Sequence, residues 1–189
     1  MKITAEPMAV LLFLGLLLTD RTMLAAAIFS AAMAHEIGHL LAARALRIPV
    51  RSLKFSLLGA RLGMGRLLSY REEWLLCVSG PIASMGLAIL FYKWWDIGFL
   101  FLLSQSSFAL GLLNLLPVRS FDGGRMLSAF LCGVTNERIA GRILSGCSFL
   151  CLFLLWSLSV YLLLRAGSGL SLLSFSVSLF LRFFEDPES

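Results

Sequence analysis

The two histidines of this chain lie four residues apart, in the run His35-Glu36-Ile37-Gly38-His39, inside a long apolar segment. On an α-helix, positions i and i+4 share one face, so both imidazoles can bind the same metal ion. Glu36 directly follows the first histidine and can take a proton from a water molecule that the metal activates. Two imidazoles and a carboxylate suit zinc and leave a fourth position open for that water. The pattern therefore predicts one zinc ion, bound by His35 and His39, with Glu36 as the base.

The depth of this motif in its segment also indicates a functional site. His39 is about seven residues from an arginine-rich end of the segment, which at about 1.5 Å per residue is roughly 10 Å. Placing an ionisable side chain at such a depth in a membrane costs several kcal/mol of free energy. Residues of this kind are therefore read first as part of a functional site. The alternative is a satisfied polar cluster inside a helix bundle, such as a proton relay. Because the motif contains both histidines of the chain, we favour the metal site.

The third protein ligand is predicted by elimination. The chain has no third histidine and no cysteine in a suitable pattern, so the ligand should be one of its eleven acidic residues. Glu36 is already assigned. Nine others lie near the termini or at the ends of apolar segments: Glu6, Asp20, Glu72, Glu73, Asp96, Glu137, Glu185, Asp186 and Glu188. Only Asp122 remains.

The surroundings of Asp122 predict a broken helix. Pro117 ends an apolar segment and Gly123-Gly124 loosens the next one. Irregular backbone at membrane depth is tolerated only where it packs inside protein or lines a cavity, and such a break can turn a carboxylate toward a metal. The alternative for Asp122 is the N-cap of a short helix from Gly123 to about Cys132. The two roles are compatible.

The composition places these motifs in a membrane. Charged residues make up 14% of the 189 residues and hydrophobic residues 59%, whereas soluble domains have about a quarter charged residues. The basic residues behind the net charge of +5 lie between apolar segments, which argues for membrane orientation and against nucleic acid as a partner. We expect a single membrane-embedded domain over residues 1–189, with core motifs in residues 22–130 and no appended soluble regulatory domain.

The expected fold is all-α and polytopic, with about six transmembrane helices. The apolar segments run over about residues 5–19, 22–46, 74–92, 97–116, 139–164 and 170–184. The first segment is short, and because Lys2 precedes it, the alternative is the apolar region of a signal peptide. Between the second and third segments, apolar and polar residues alternate over Val50–Leu57 and again over Ala60–Met64. This period of two predicts a short β-hairpin.

The basic residues around this hairpin predict the orientation. Six of them fall within about 25 residues: Arg47, Arg51, Lys54, Arg61, Arg66 and Arg71. The positive-inside rule places such a segment in the cytoplasm. With six crossings, both termini are then cytoplasmic.

The two motifs together resemble those of the site-2 protease family of intramembrane zinc metalloproteases. The resemblance rests on His35-Glu36-Ile37-Gly38-His39, followed about 80 residues later by Asn114-Leu-Leu-Pro117 and Phe121-Asp122-Gly-Gly-Arg125. The hairpin and a segment with Gly80-Pro81 also fit, and the branch that contains the stage IV sporulation protein FB is the most similar. The resemblance covers about residues 22–130.

The resemblance implies a metalloendopeptidase of the bacterial cytoplasmic membrane. His35, His39 and Asp122 would bind zinc, Glu36 would activate water, and Asn114 would help to position the substrate backbone. Substrates would be membrane proteins cut in or near a transmembrane segment, close to the cytoplasmic face. A transcription-factor precursor or an anti-sigma factor would be such a substrate. A second membrane protein would regulate the protease.

A helical substrate hides its carbonyl groups, so it must be unwound before it is cut. The extended segment then needs a pairing partner. We expect the hairpin to offer a strand edge to the substrate, with Phe55 and Leu57 as candidate substrate-binding residues. Two departures from the family pattern bear on substrate handling. Relatives usually have prolines where this chain has Val118-Arg119-Ser120, and they commonly have asparagine in place of Ser84.

Two other classes of protein compete with the protease. A membrane transporter could use the same His, Glu and Asp side chains to carry metal ions or protons. The chain, however, has no inverted repeat and no second polar cluster that would continue a path. A protease-derived protein that binds zinc without cutting would not need to keep Glu36. We therefore expect a protease.

Overall fold

The structure, a computed structural model, describes residues 2–5, 22–56, 59–166 and 170–185 of the chain. In these ranges it has three strands, β1 (Lys2–Ala5), β2 (Val50–Ser56) and β3 (Gly59–Met64). It also has six helices: α1 (Thr22–Ala45), α2 (Tyr70–Phe91), α3 (Gly98–Asn114), α4 (Asp122–Val134), α5 (Glu137–Ala166) and α6 (Leu170–Glu185). The chain divides into two compact units, Met1–Leu115 and Leu116–Ser189, and each is described separately.

The predicted helices after residue 22 are confirmed in type and approximate bounds. Three of them, α1, α2 and α5, are long and apolar enough to cross a membrane, and α3 and part of α6 are shorter apolar helices. Most of the first predicted segment lies outside the described residues, so the count of six crossings stays a prediction. The strand Lys2–Ala5 was not predicted. It includes Ala5, where we expected the first helix to begin.

Apolar side chains are exposed on the helices of both units. Examples of residues that are at least half-exposed are Ile89, Leu112, Leu150 and Leu158. A soluble monomer rarely exposes apolar surface on this scale, whereas lipid covers it at no cost. The apolar helices thus support an integral membrane protein.

In the first unit, α1, α2 and α3 all pack against one another. Small residues bring them close: Ala27 and Ala31 of α1 are fully buried against Leu103 of α3. A Cβ atom on Gly38 would lie 2.6 Å from the Cβ of Ala83 in α2, so α1 and α2 can approach this closely only because residue 38 is glycine. This packing determines which residues of α2 lie against the histidine motif.

Helix α1 ends in a Schellman motif just before the hairpin. Arg47 has a positive φ of 54°, and the N–H of Ile48 donates to the carbonyl of Ala43 at 2.8 Å. Ile48 and Ala43 also belong to one buried apolar cluster with Leu76 of α2. The turn therefore fixes the direction in which the chain leaves α1.

The predicted hairpin is confirmed and is part of a three-stranded sheet in the order β1-β2-β3. Strand β2 pairs antiparallel with β3 and parallel with β1. Gly59, which we expected between the strands, begins β3. On the far side of the hairpin, Ser69 and Glu72 form a capping box that starts α2, and Arg66 binds the Glu72 carboxylate through two hydrogen bonds of 2.9 and 2.6 Å.

In the second unit, α4 packs on α5, and α5 packs on α6. The fully buried hydroxyl groups of Ser159 in α5 and Ser176 in α6 are 3.3 Å apart and share a hydrogen bond. The predicted break before the aspartate is confirmed. Helix α3 ends at Asn114, residues 115–121 are not helical, and α4 begins at Asp122.

Candidate metal centre

The histidine pair lies on the buried face of α1. His35 is 4% exposed and His39 6% exposed, and their Nε2 atoms are 3.2 Å apart. Two nitrogen ligands at about 2.0–2.1 Å from a tetrahedral zinc ion lie about 3.3–3.4 Å apart. The two nitrogen atoms are therefore slightly closer together than two ligands of one zinc ion, and a small movement of either ring gives the required spacing.

The other nitrogen atom of each ring contacts α2. The Nδ1 atom of His39 donates to the backbone carbonyl of Leu76 at 2.8 Å, because a carbonyl oxygen can only accept. The proton on Nδ1 leaves the lone pair on Nε2, which is the state needed to bind a metal. The Nδ1 atom of His35 lies 2.9 Å from the hydroxyl of Ser84, which is fully buried. Metal-binding histidines usually have such a partner on the second nitrogen, which fixes the orientation of the ring.

The space in front of the two Nε2 atoms depends on Gly80 of α2. A Cβ atom there would lie 2.3 Å from Nε2 of His39 and 2.7 Å from Nε2 of His35. Any other residue at this position would displace the rings from their partners. Glycine at position 80 thus keeps this space open.

Glu36 and Asp122 reach their positions in different ways. Glu36 follows His35 within α1 and is 8% exposed, so its carboxylate is held in a largely buried site. Asp122 is the first residue of α4, and the N-cap is Phe121, so the N-cap role that we considered for Asp122 is not what the structure has. A carboxylate in the first turn of a helix is favoured by the helix dipole. Asp122 belongs to the second unit, and its role as the third metal ligand stays a prediction.

The candidate substrate-binding residues are placed only in part. Asn114 is the last residue of α3, and its side-chain Nδ2 donates to the carbonyl of Leu110 at 3.0 Å. Phe55 lies in β2, the middle strand of the sheet, and its side chain lies outside what the structure describes. Leu57 lies outside the described residues altogether. The role of all three in substrate binding stays a prediction.

Several residues at the histidines were missed by the sequence analysis. Ser84 was noted only as a departure from the family pattern, although its hydroxyl is the partner of His35. Ser79 donates to the carbonyl of Leu76 at 2.6 Å and lies 3.4 Å from Nδ1 of His39. Serine is common in apolar helices, so its type alone gave no signal. Only the packing of α1 on α2 singles these residues out.

Three comparisons with known proteins bear on this site. The family model described as Peptidase family M50 matches residues 78–158. The chain is 28% identical over 160 residues to a Synechocystis sp. protein named "Putative zinc metalloprotease sll0528". That match covers 75% of this chain and 41% of the relative, so the chain spans about two fifths of the relative's length.

The third comparison concerns the fold. The site-2 protease from Methanocaldococcus jannaschii has a TM-score of 0.68 with this chain at 20% sequence identity. The match covers 96% of this chain and 87% of that protein, so the two share a fold. The first two comparisons thus show similarity to M50 metallopeptidases over part of the chain, and the third shows that the chain shares the fold of a site-2 protease.

Proposed function

We propose that this chain is an intramembrane zinc metalloprotease in which His35, His39 and Asp122 bind one zinc ion and Glu36 is the catalytic base. The observation that carries the proposal is the histidine pair. Its Nε2 atoms are 3.2 Å apart, and Nδ1 of each ring has its own partner on α2. In a shared metal site both Nε2 lone pairs face the ion, and the Nδ1–H of His39 on the Leu76 carbonyl leaves the lone pair of that ring on Nε2.

The proposed chemistry divides between the metal and the side chains. When bound, zinc polarises the scissile carbonyl group and lowers the pKa of water toward neutrality. Glu36 takes the proton from the attacking water and returns it to the leaving amine. His35 and His39 keep their rings fixed through Ser84 and the Leu76 carbonyl, so that neither nitrogen needs to reorient during the reaction. The burial of Glu36 keeps bulk water from competing for its proton.

The proposed substrate is a membrane protein, cut in or near a transmembrane segment close to the cytoplasmic face. The apolar helices support a site inside the bilayer, and the arginine-rich stretch around the hairpin supports a cytoplasmic position for that end of α1. With six crossings, both termini are cytoplasmic. Processing of a transcription-factor precursor or an anti-sigma factor, as in the stage IV sporulation protein FB branch, rests on the motif resemblance alone.

The hairpin is proposed to hold the substrate as an added strand. Because β2 is paired on both sides, the substrate would pair with the outer edge of β3. Single prolines at Ala60, Arg61 and Leu62 test this. At a position whose N–H faces away from β2, proline should reduce cleavage while the protein still binds zinc. Unchanged cleavage in all three variants would overturn the strand-pairing role.

Co-expression with candidate membrane substrates tests the protease itself. We expect the native chain to shorten its substrate and Glu36→Gln to leave it intact while still binding zinc. Asp96→Asn, which changes an acidic residue between α2 and α3, is the matched control and should cut normally. Equal substrate loss with Glu36→Gln and the native chain would exclude the assignment. Zinc transport into proteoliposomes that survives Glu36→Gln would instead favour a transporter.

Zinc analysis tests the ligand set separately. Purified Asp122→Ala should bind zinc far more weakly than the native chain, and Asp96→Asn should bind it equally well. Native zinc affinity in Asp122→Ala would remove Asp122 from the ligand set without affecting the two histidines.

A further inference from the structure

The segment between α3 and α4 contains irregular backbone that must be held in place. Its internal hydrogen bonds are few: the N–H of Val118 donates to Leu116 at 2.7 Å, and the N–H of Phe121 donates to Val118 at 2.8 Å. Only Pro117 has a restricted φ. Residues 118–120 are not prolines, so their backbone angles are not fixed in this way. The shape of the segment therefore depends on what packs against it.

Ser148 of α5 supplies the main contact within the same unit. Its hydroxyl accepts a hydrogen bond from the backbone N–H of Arg119 at 3.0 Å and donates one to the carbonyl of Pro117 at 3.1 Å. The side chain of Ser148 is fully buried. One hydroxyl group thus bridges two backbone groups that lie two residues apart and uses both its donor and its acceptor capacity.

Two further contacts hold the same segment. The guanidinium of Arg119 donates through Nη2 to the hydroxyl of Ser145, three residues before Ser148 in α5, at 3.1 Å. On the other side, a Cβ atom on Gly124 would lie 2.1 Å from the carbonyl oxygen of Val118. The first turn of α4 therefore packs directly on the backbone of the segment. Asp122 begins that turn, so its position follows from the position of the segment.

We infer that Ser148 is a positioning residue for Asp122, an inference that rests on the proposed role of Asp122 as a metal ligand. The physical reason is the lack of water around the segment. In an apolar surrounding, backbone groups outside helices have no water to bind, so the segment adopts the conformation in which protein groups satisfy them. The Ser148 hydroxyl satisfies two such groups immediately before Asp122. Without it, the segment has alternatives, and the carboxylate spends less time where it can bind a metal.

The test uses zinc affinity in the Glu36→Gln background, so that no readout depends on cleavage. Ser148→Ala should weaken zinc binding about tenfold, as expected for residues that orient metal ligands. Ser148→Thr keeps the hydroxyl and should restore the affinity to within about threefold of the parent. Ser159→Ala is the matched control, since Ser159 is also a fully buried serine of α5 but bonds Trp156 and Ser176. It should leave the zinc affinity unchanged.

A double-mutant cycle separates positioning from general stability. If Ser148 acts through Asp122, Ser148→Ala should cause no further loss of zinc affinity once Asp122 is alanine. Additive losses would overturn the inference, as would native affinity in Ser148→Ala. If Ser148→Ala does not fold, Ser148→Cys can replace it in the same cycle. The thiol is similar in size to the hydroxyl group but forms weaker hydrogen bonds. If Asp122→Ala alone leaves zinc affinity unchanged, the proposed ligand set fails, which is a distinct result.

Discussion

The histidines and the aspartate that we propose as zinc ligands are held by different physical means. His35 and His39 lie in the middle of a regular helix, and side-chain and backbone partners on the neighbouring helix α2 fix their rings. Asp122 begins a helix after irregular backbone, and its position depends on hydrogen bonds to the backbone before it. A ligand within a helix needs only its ring oriented, whereas a ligand at a helix break needs the chain itself fixed.

This difference predicts the largest effect at Gly80, next to the histidines. Gly80→Ala places a Cβ atom against both Nε2 atoms, whose rings cannot turn away without losing Ser84 and the Leu76 carbonyl. We expect zinc affinity to fall by at least about a hundredfold. Equilibrium dialysis of the purified protein measures it. Gly86→Ala, in the same helix with nothing within 4 Å of an added Cβ, should bind zinc normally. Equal affinity in both variants would contradict the assigned geometry.

The second prediction concerns the aspartate region. Gly124→Ala drives a Cβ atom into the backbone of Val118, which cannot move as a flexible side chain would. Overpacking of this kind costs about 1–3 kcal/mol, and we expect both a lower melting temperature and weaker zinc binding. Gly133→Ala is the control in the same helix, with open space at the added Cβ. A native melting temperature for Gly124→Ala would show that the segment yields easily, and the contrast between the two regions would then disappear.

The third prediction removes the partner of His35. Ser84→Ala leaves the Nδ1 of His35 without its buried hydrogen bond, so zinc affinity should fall about tenfold with little change in helix content. Ser84→Asn, which keeps a hydrogen-bonding side chain at this position, should recover most of the loss. The absorption spectrum of the cobalt-substituted protein reports the ligand geometry and should shift in Ser84→Ala. An unchanged spectrum and affinity would mean that α2 does not orient this ring.

The smallest effect is expected at Ser79. Its hydroxyl is 3.4 Å from Nδ1 of His39, beyond the usual range of a good hydrogen bond, and His39 keeps the Leu76 carbonyl as its partner. Ser79→Ala should therefore change zinc affinity by less than about threefold. The same dialysis measurement applies. A loss as large as that of Ser84→Ala would show that the Leu76 carbonyl alone does not hold the His39 ring.

The sequence alone could single out the candidate metal ligands and the candidate base because their signals are local. The spacing of His35 and His39 is a property of one helix, and the break before Asp122 follows from Pro117, whereas Gly123 and Gly124, which were expected to loosen the next helix, lie inside α4. The hairpin was found from its period of two, although Gly59 belongs to β3 and the unpredicted strand β1 makes β2 the middle strand. A parallel partner about 50 residues away in the chain leaves no mark on the pattern of β2.

What the sequence determined by itself is which side chains are candidates to bind a metal and move a proton, together with the helices and the break that carry them. Only the tertiary structure decided how those groups are oriented. Ser84 lies 49 residues from His35, Leu76 lies 37 residues from His39, and Ser148 lies 29 residues from Arg119. Each of these pairs is in contact because two helices, or a helix and a loop, pack with one particular axial shift and one particular rotation about the helix axis. Such packing depends on shape along whole helices, as at Gly38 and Gly80, and no local period in the sequence records it.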